Sequence, residues 1–222
     1  MAEYPVYTKA ALLTEARTLL NEPVEHKWLD TELNGWIDRG ARKLSQITLC
    51  VPDKDTITTV ASVYCYTLTV PFIKVHSVLY NNRGLQRVTA LNFGHPNAPA
   101  ASNTAPKQYY HFGQHLYLWP SPAVGLSVYV YGARSATRYV DDYSGTDTSP
   151  SKYELPNAVQ PYVLDYVLAC AYAKAGTHSL AGYHFSQFLN NCNAYRADVT
   201  DRKTIIDSRD KMGVPDRTQI QQ

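Results

Sequence analysis

The sequence predicts an α+β protein. Helices at both ends of the chain form a bundle, an antiparallel β domain is inserted between them, and an extended tail follows. Three observations carry this. Apolar residues recur at helical spacing in 8–47 and again in 159–199. Between these stretches the period changes to two. After Lys203 neither period persists.

Residues 8–22 place Ala11, Leu12, Ala16, Leu19 and Leu20 on one stripe and stop before Pro23, as an amphipathic helix does. Asp30 opens a second helix. Asp30, Thr31 and Glu32 suit its positive N-terminal end, and Leu33, Trp36, Ile37, Gly40, Leu44 and Ile47 follow at helical spacing. From Leu49 the alternation predicts strands over 56–62, 64–70, 72–80 and 86–91, with a turn at Asn81-Asn82-Arg83-Gly84. Residues 93–106 hold three prolines and many small side chains and read as a long loop. A strand over 109–112 follows.

The stretch HLYLWPSPAVGLSVYVYG, residues 115–132, then reads as a hairpin around a proline-marked turn. Leu116, Leu118, Leu126, Val128 and Val130 would face one way, and Tyr117, Trp119, Tyr129 and Tyr131 the other. Residues 141–150 form an exposed acidic loop. Leu155-Pro156-Asn157 marks re-entry into helix, with Val159, Tyr162, Val163, Tyr166, Val167 and Cys170 on one stripe. Leu164, Leu168, Ala171 and Ala175 cover a neighbouring stripe, so this helix is packed on more than one side. Gly176 ends it. A last helix, capped by Thr177 or Ser179, carries Phe185, Phe188, Leu189, Cys192, Tyr195 and Val199 on one side. The domain boundaries that follow are 1–50, 51–154, 155–203 and a tail, 204–222, which could reach roughly 60 Å if extended.

The chain has 222 residues, 45% hydrophobic and 18% charged, with a net charge of +2. That supports a real core and argues against a protein whose main task is electrostatic grip on nucleic acid. The 18 tyrosines against five phenylalanines suit surfaces that are buried but wet. No run approaches the ~20 apolar residues of a membrane helix, so no membrane partner is expected. The N-terminus lacks the basic start of a signal peptide. Cys50, Cys65, Cys170 and Cys192 show no zinc or redox spacing and read as reduced, buried thiols.

Chemistry is hard to find. His111 and His115 flank a tight turn and could face each other across it. A metal site would need a third ligand, and no Asp, Glu or Cys lies nearby in sequence, so solvated turn histidines are the expectation. The acids of Asp141–Asp147 lack the spacing of a calcium loop. There is no phosphate loop and no nucleophile elbow. Arg39, Arg42 and Lys43 match a helix C-terminal half, though passing DNA would welcome them. No catalytic residue, cofactor or metal is expected.

The serial order of parts resembles the head-to-tail adaptor (connector, or tail tubular-type) proteins of tailed bacteriophages. Its carriers are ALLTEARTLLNE and LDTELNGWIDRGARKLSQI; the Y-x-L-x-V-P of residues 66–71; Pro106-x-x-Tyr109 followed by Leu116-x-Leu118-x-Pro120-x-Pro122 and Val128-Tyr129-Val130-Tyr131; and the Leu155-Pro156 entry into two closing helices. The resemblance covers most of the chain and implies a virion protein of the head-tail junction, made in the host cytoplasm. It implies a ring, usually twelvefold, that docks beneath the portal protein, continues the DNA channel without sequence-specific contacts, and receives a tail or nozzle protein. Within it, Tyr162, Tyr166, Leu164 and Leu168 would fit the wall between neighbouring copies. Ile205, Ile206, Met212, Val214 and Ile220 would fit a C-terminal clasp on the portal. Tyr117, Trp119, Tyr129 and Tyr131 would form one aromatic face, covered by another element or a partner ring. The alternatives are a carbohydrate- or receptor-binding β module of a virion tail, which leaves the flanking helices unexplained, and a small hydrolase, for which the sequence offers no positive sign.

Overall fold

A computed structural model of the chain describes residues 8–89, 105–136, 155–156 and 158–211, with side chains described as far as Val199. It is mixed α+β, with four helices and two four-stranded sheets among the described residues. Two compact units divide the chain, Met1–Gly40 with Asn157–Gln222, and Ala41–Pro156.

The first unit holds α1 (Lys9–Leu19), the start of α2 (Asp30–Thr48), α3 (Tyr162–Lys174) and α4 (His178–Lys211). Thr8 caps α1, its hydroxyl accepting the Ala11 amide at 3.1 Å. Leu12, Ala16 and Leu20 are buried, as the stripe predicts. Arg17 is buried beside them, where it pairs with Asp30 and donates to the Trp28 carbonyl at 3.1 Å. Helix α3 runs antiparallel to α2. Lys174 meets Glu32 at 2.6 Å near one end, and at the other Gly40 lies against Val163 and Tyr166. The absent Cβ at Gly40 is what permits that approach. Re-entry into helix comes later than Leu155-Pro156 suggests, at Tyr162, after a turn over 158–161.

The second unit carries the strands β1 (Pro52–Thr58), β2 (Cys65–Thr67), β3 (Phe72–Tyr80), β4 (Arg83–Gly84), β5 (Gln86–Arg87), β6 (Gln108–Phe112), β7 (His115–Trp119) and β8 (Ser127–Arg134). One sheet has the order β1-β8-β3-β4 and the other β2-β7-β6-β5. Their inner faces share one core, to which Tyr66, Val78, Tyr109, Leu116, Leu118, Val128 and Val130 contribute. The turn at Asn81 and Asn82 has positive φ at both residues, 47° and 60°, and closes the pair Tyr80↔Arg83. This is the twist-matched two-residue hairpin loop that asparagine favours.

Several expectations are corrected. The 115–132 stretch is not a hairpin, because β7 and β8 belong to different sheets. The seven residues 120–126 carry the chain from one sheet to the other. The aliphatic faces of β7 and β8 therefore meet across the core, both buried. The first strand begins at Pro52 rather than residue 56. The second and fourth predicted strands shrink to Cys65–Thr67 and Gln86–Arg87. Residues 204–211, expected to be extended, continue α4. The predicted loop 93–106 is described only at its last two residues, and the acidic loop 141–150 lies outside the described residues.

Inward residues of β3 follow an unusual spacing: Phe72, Val75, Val78 and Tyr80. Register shifts between Phe72 and Lys74 and between Val75 and Ser77 insert extra residues opposite β8, so the buried positions fall three apart before returning to two.

Candidate interaction surfaces

Among the described residues no three His, Cys, Asp or Glu side chains gather to hold a metal. The register pairs His111 with Leu116, and Phe112 with His115. Paired residues share a face, so His111 and His115 project to opposite faces of their sheet and do not meet. Burial, and then the Arg87 charge, hold His111 below the usual histidine range. None of the four cysteines is in a disulfide. Only Cys192 is fully buried; Cys50, Cys65 and Cys170 are half-buried, which corrects the expectation of four buried ones.

The outer face of the β2-β7-β6-β5 sheet is aromatic. Tyr117 lies 6.4 Å from Tyr64, 5.8 Å from Tyr110 and 6.5 Å from His115, centroid to centroid. Tyr110 in turn stacks on Phe112 at 6.4 Å. Cross-strand aromatic pairs of this kind stabilise a sheet from its solvent side. Phe112, at the end of the row, is 67% exposed. Sequence reading found Tyr117 but missed Tyr64, Tyr110 and Phe112. The alternation of Tyr110 and Phe112 within Gln108–Phe112 was legible; the convergence of these residues and Tyr64 on Tyr117 required the register.

Tyr129 and Tyr131 belong to the other sheet, so the four predicted aromatics do not form one face. Lys54, on the neighbouring strand β1, places its ammonium 4.2 Å from the Tyr129 ring and 5.7 Å from the Tyr131 ring. A cation held over two rings is a local surface brace. Trp119 is half-buried opposite Gln108.

In the helical unit, Leu164 and Leu168 are covered by the chain itself, at 6% and 5% exposure. They are core positions and leave only Tyr162 and Tyr166, both half-buried, from the predicted contact set. Tyr166 packs edge-on against the buried Phe188, 5.3 Å between centroids, and so joins α3 to α4. A further tie runs from Asp165 to His184 Nδ1 at 3.3 Å, and Asn191 donates to the same carboxylate at 3.2 Å. Tyr172 stacks on the His184 ring at 5.5 Å.

Residues 175–195 contain no Asp, Glu, Lys or Arg. Leu180, Tyr183 and Phe185 are nonetheless 43%, 58% and 40% exposed. A helix flank that meets only water is ordinarily charged, whereas the centre of a protein contact is depleted of charge. Of the predicted clasp residues, Ile205 and Ile206 lie within α4, and Met212, Val214 and Ile220 lie outside the described residues. No helix among the described residues is long and apolar enough to cross a membrane.

No curated protein matches the sequence. The family model for the SU10 adaptor protein matches residues 7–217, nearly the whole chain, across both units. The chain thus belongs to the SU10 adaptor protein family and is a bacteriophage adaptor-type protein.

Proposed function

We propose that this protein is a ring-forming structural adaptor of the virion. Copies assemble beneath the portal, continue the DNA channel and receive the tail. The observation that carries this reading is an uncharged flank of α4, where Leu180 and Tyr183, three residues apart on one side of the helix, are both open. Such a flank can be buried by a neighbouring copy without desolvating ions. Tyr162 and Tyr166 border the same α3–α4 pair. The aromatic row of Tyr64, Tyr117, Tyr110 and Phe112 serves as a second contact surface, on the tail side. Residues beyond α4, with Met212, Val214 and Ile220, engage the portal. Near-neutral overall charge suits a channel through which double-stranded DNA must slide, because a strongly basic lumen would hold it.

The test is co-purification from cells producing particles, using an N-terminal tag. Recovery with a ring-forming portal or tail protein at near-equal copy number supports the adaptor. Recovery of a free monomer from cells that make complete particles sinks it.

A further inference from the structure

The β unit also holds a cleft that the adaptor reading does not use. Residues 56–140 contain no Asp or Glu. Within that acid-free stretch, a cavity of about 570 Å³ opens where the chain passes from β4 to β5, that is, from one sheet to the other. Arg83 and Lys107 stand on its rim, both exposed. Among the described residues, neither pairs with a carboxylate. The walls are largely apolar: Pro106, Val124 and Leu126 line it, and Val124 is 55% exposed. The Tyr80 hydroxyl, also in the lining, donates to the Val124 carbonyl at 3.3 Å, so this side of the cleft is fixed.

We infer that this cleft docks an extended peptide segment bearing carboxylates beside apolar side chains, presented by another protein of the virion. The chemistry selects that occupant. Two exposed cations that pair with no described carboxylate favour an anionic partner, and residues 56–140 supply no acid to compete for them. Duplex DNA is a poor fit, because its phosphates lie on a convex, polar cylinder and gain nothing from Pro106, Val124 and Leu126 in a concavity. An acidic peptide satisfies the cations at the rim while its apolar side chains enter the cleft. The Lys107 amide and carbonyl already bond to Trp119 and Gln86, both at 2.9 Å, so recognition falls to side chains rather than to strand addition. The origin of the peptide in the virion rests on the adaptor reading; the chemistry of the cleft does not.

The test uses the full chain and a displayed library of random twelve-residue peptides, selected on immobilised protein. Enriched peptides are synthesised with a fluorophore and titrated by anisotropy against wild type, R83Q/K107Q and R87Q. A labelled 20-base-pair DNA duplex is titrated in parallel. The expected result is a consensus of Asp or Glu flanked by apolar residues. Its binding should weaken at least tenfold in R83Q/K107Q and stay within twofold in R87Q, whose changed side chain is outside the cleft. Thermal midpoints of all three proteins should coincide, since every changed side chain is exposed. The inference is overturned by the absence of an acidic consensus, by equal binding to wild type and R83Q/K107Q, or by duplex DNA that competes with the peptide and is lost in the same variant. Ring assembly is not read in this experiment, so its failure leaves the adaptor reading standing and failure of the adaptor leaves the cleft standing.

Discussion

Asp55 and Thr69, fourteen residues apart, are joined by two hydrogen bonds. The Asp55 Oδ2 accepts the Thr69 amide at 2.6 Å and its Oδ1 accepts the Thr69 hydroxyl at 2.9 Å. The Val70 amide adds a third, at 3.1 Å to Oδ2. Asp55 is 5% exposed, on β1. It therefore holds the segment between β2 and β3 against the edge of the first sheet. Burial alone pushes this carboxyl up, but the Val70 and Thr69 donors outweigh it, and the net shift is downward from 3.8.

Because the folded value is depressed, ionised Asp55 stabilises the fold above its ordinary value of 3.8, and that contribution is lost as pH falls through the depressed folded value. Asp55→Asn turns an amide toward donors that need acceptors. It should cost about 2 kcal/mol near neutral pH, the scale of breaking buried charge-assisted bonds. Urea unfolding of wild type and variant from pH 7 downward checks this. The gap should hold steady to about pH 4 and narrow only below it; a gap constant to the lowest pH removes the charge from the account.

Gly132 sits beneath the bulged part of β3. A Cβ there would stand 2.5 Å from the Lys74 carbonyl oxygen and 2.6 Å from the Phe72 ring. The carbonyl is backbone and cannot step aside cheaply. Gly132→Ala should destabilise by about 1–3 kcal/mol, the range for forced overpacking. Denaturant midpoints measure it, and an unchanged midpoint would mean that the bulge at Phe72 and Lys74 is free to shift.

The helices were legible because their signals are local. Thr8, Asp30 and Gly176 mark ends, and Leu12, Ala16, Leu33, Ile37, Val163 and Val167 mark buried stripes. The aliphatic faces of β7 and β8 were legible for the same reason. Their separation into two sheets was not, because period two says which face a residue takes and nothing about its partner strand. The last turns of α4 escaped for another reason. They have no apolar stripe, but positions 198 and 202, 203 and 207, and 207 and 211 carry opposite charges four apart, a helical signal that hydrophobic periodicity ignores. The aromatic row failed in sequence through its assumed hairpin: Tyr117 was found, and Tyr110 and Phe112 were set aside as an ordinary strand.

The uncharged flank of α4 gives a prediction that separates contact from folding. Leu180 and Tyr183 are 43% and 58% exposed, so glutamate at both should leave the monomer's thermal midpoint within a degree or two, as surface changes do. If the flank meets a neighbouring copy, L180E/Y183E should abolish its incorporation into rings or particles, because each contact would bury two new charges without partners. Particle complementation with the variant, scored by copies retained per particle, decides. Normal incorporation moves the subunit contact away from α4.

Helix α4 extends to Lys211, and this divides the predicted tail into two separable parts. A chain ending at Lys211 loses Met212, Val214 and Ile220 and keeps the whole helix. A chain ending at Lys203 also loses Ile205, Ile206 and the last two helical turns. If the residues beyond α4 hold the portal, both truncations should fail equally in portal co-purification while keeping the wild-type circular dichroism midpoint. If the helical end itself makes the contact, the Lys211 truncation should bind as wild type and only the Lys203 truncation should fail. The first outcome assigns the clasp to the residues that follow the helix. The second assigns it to Ile205 and Ile206, and moves the portal contact onto α4.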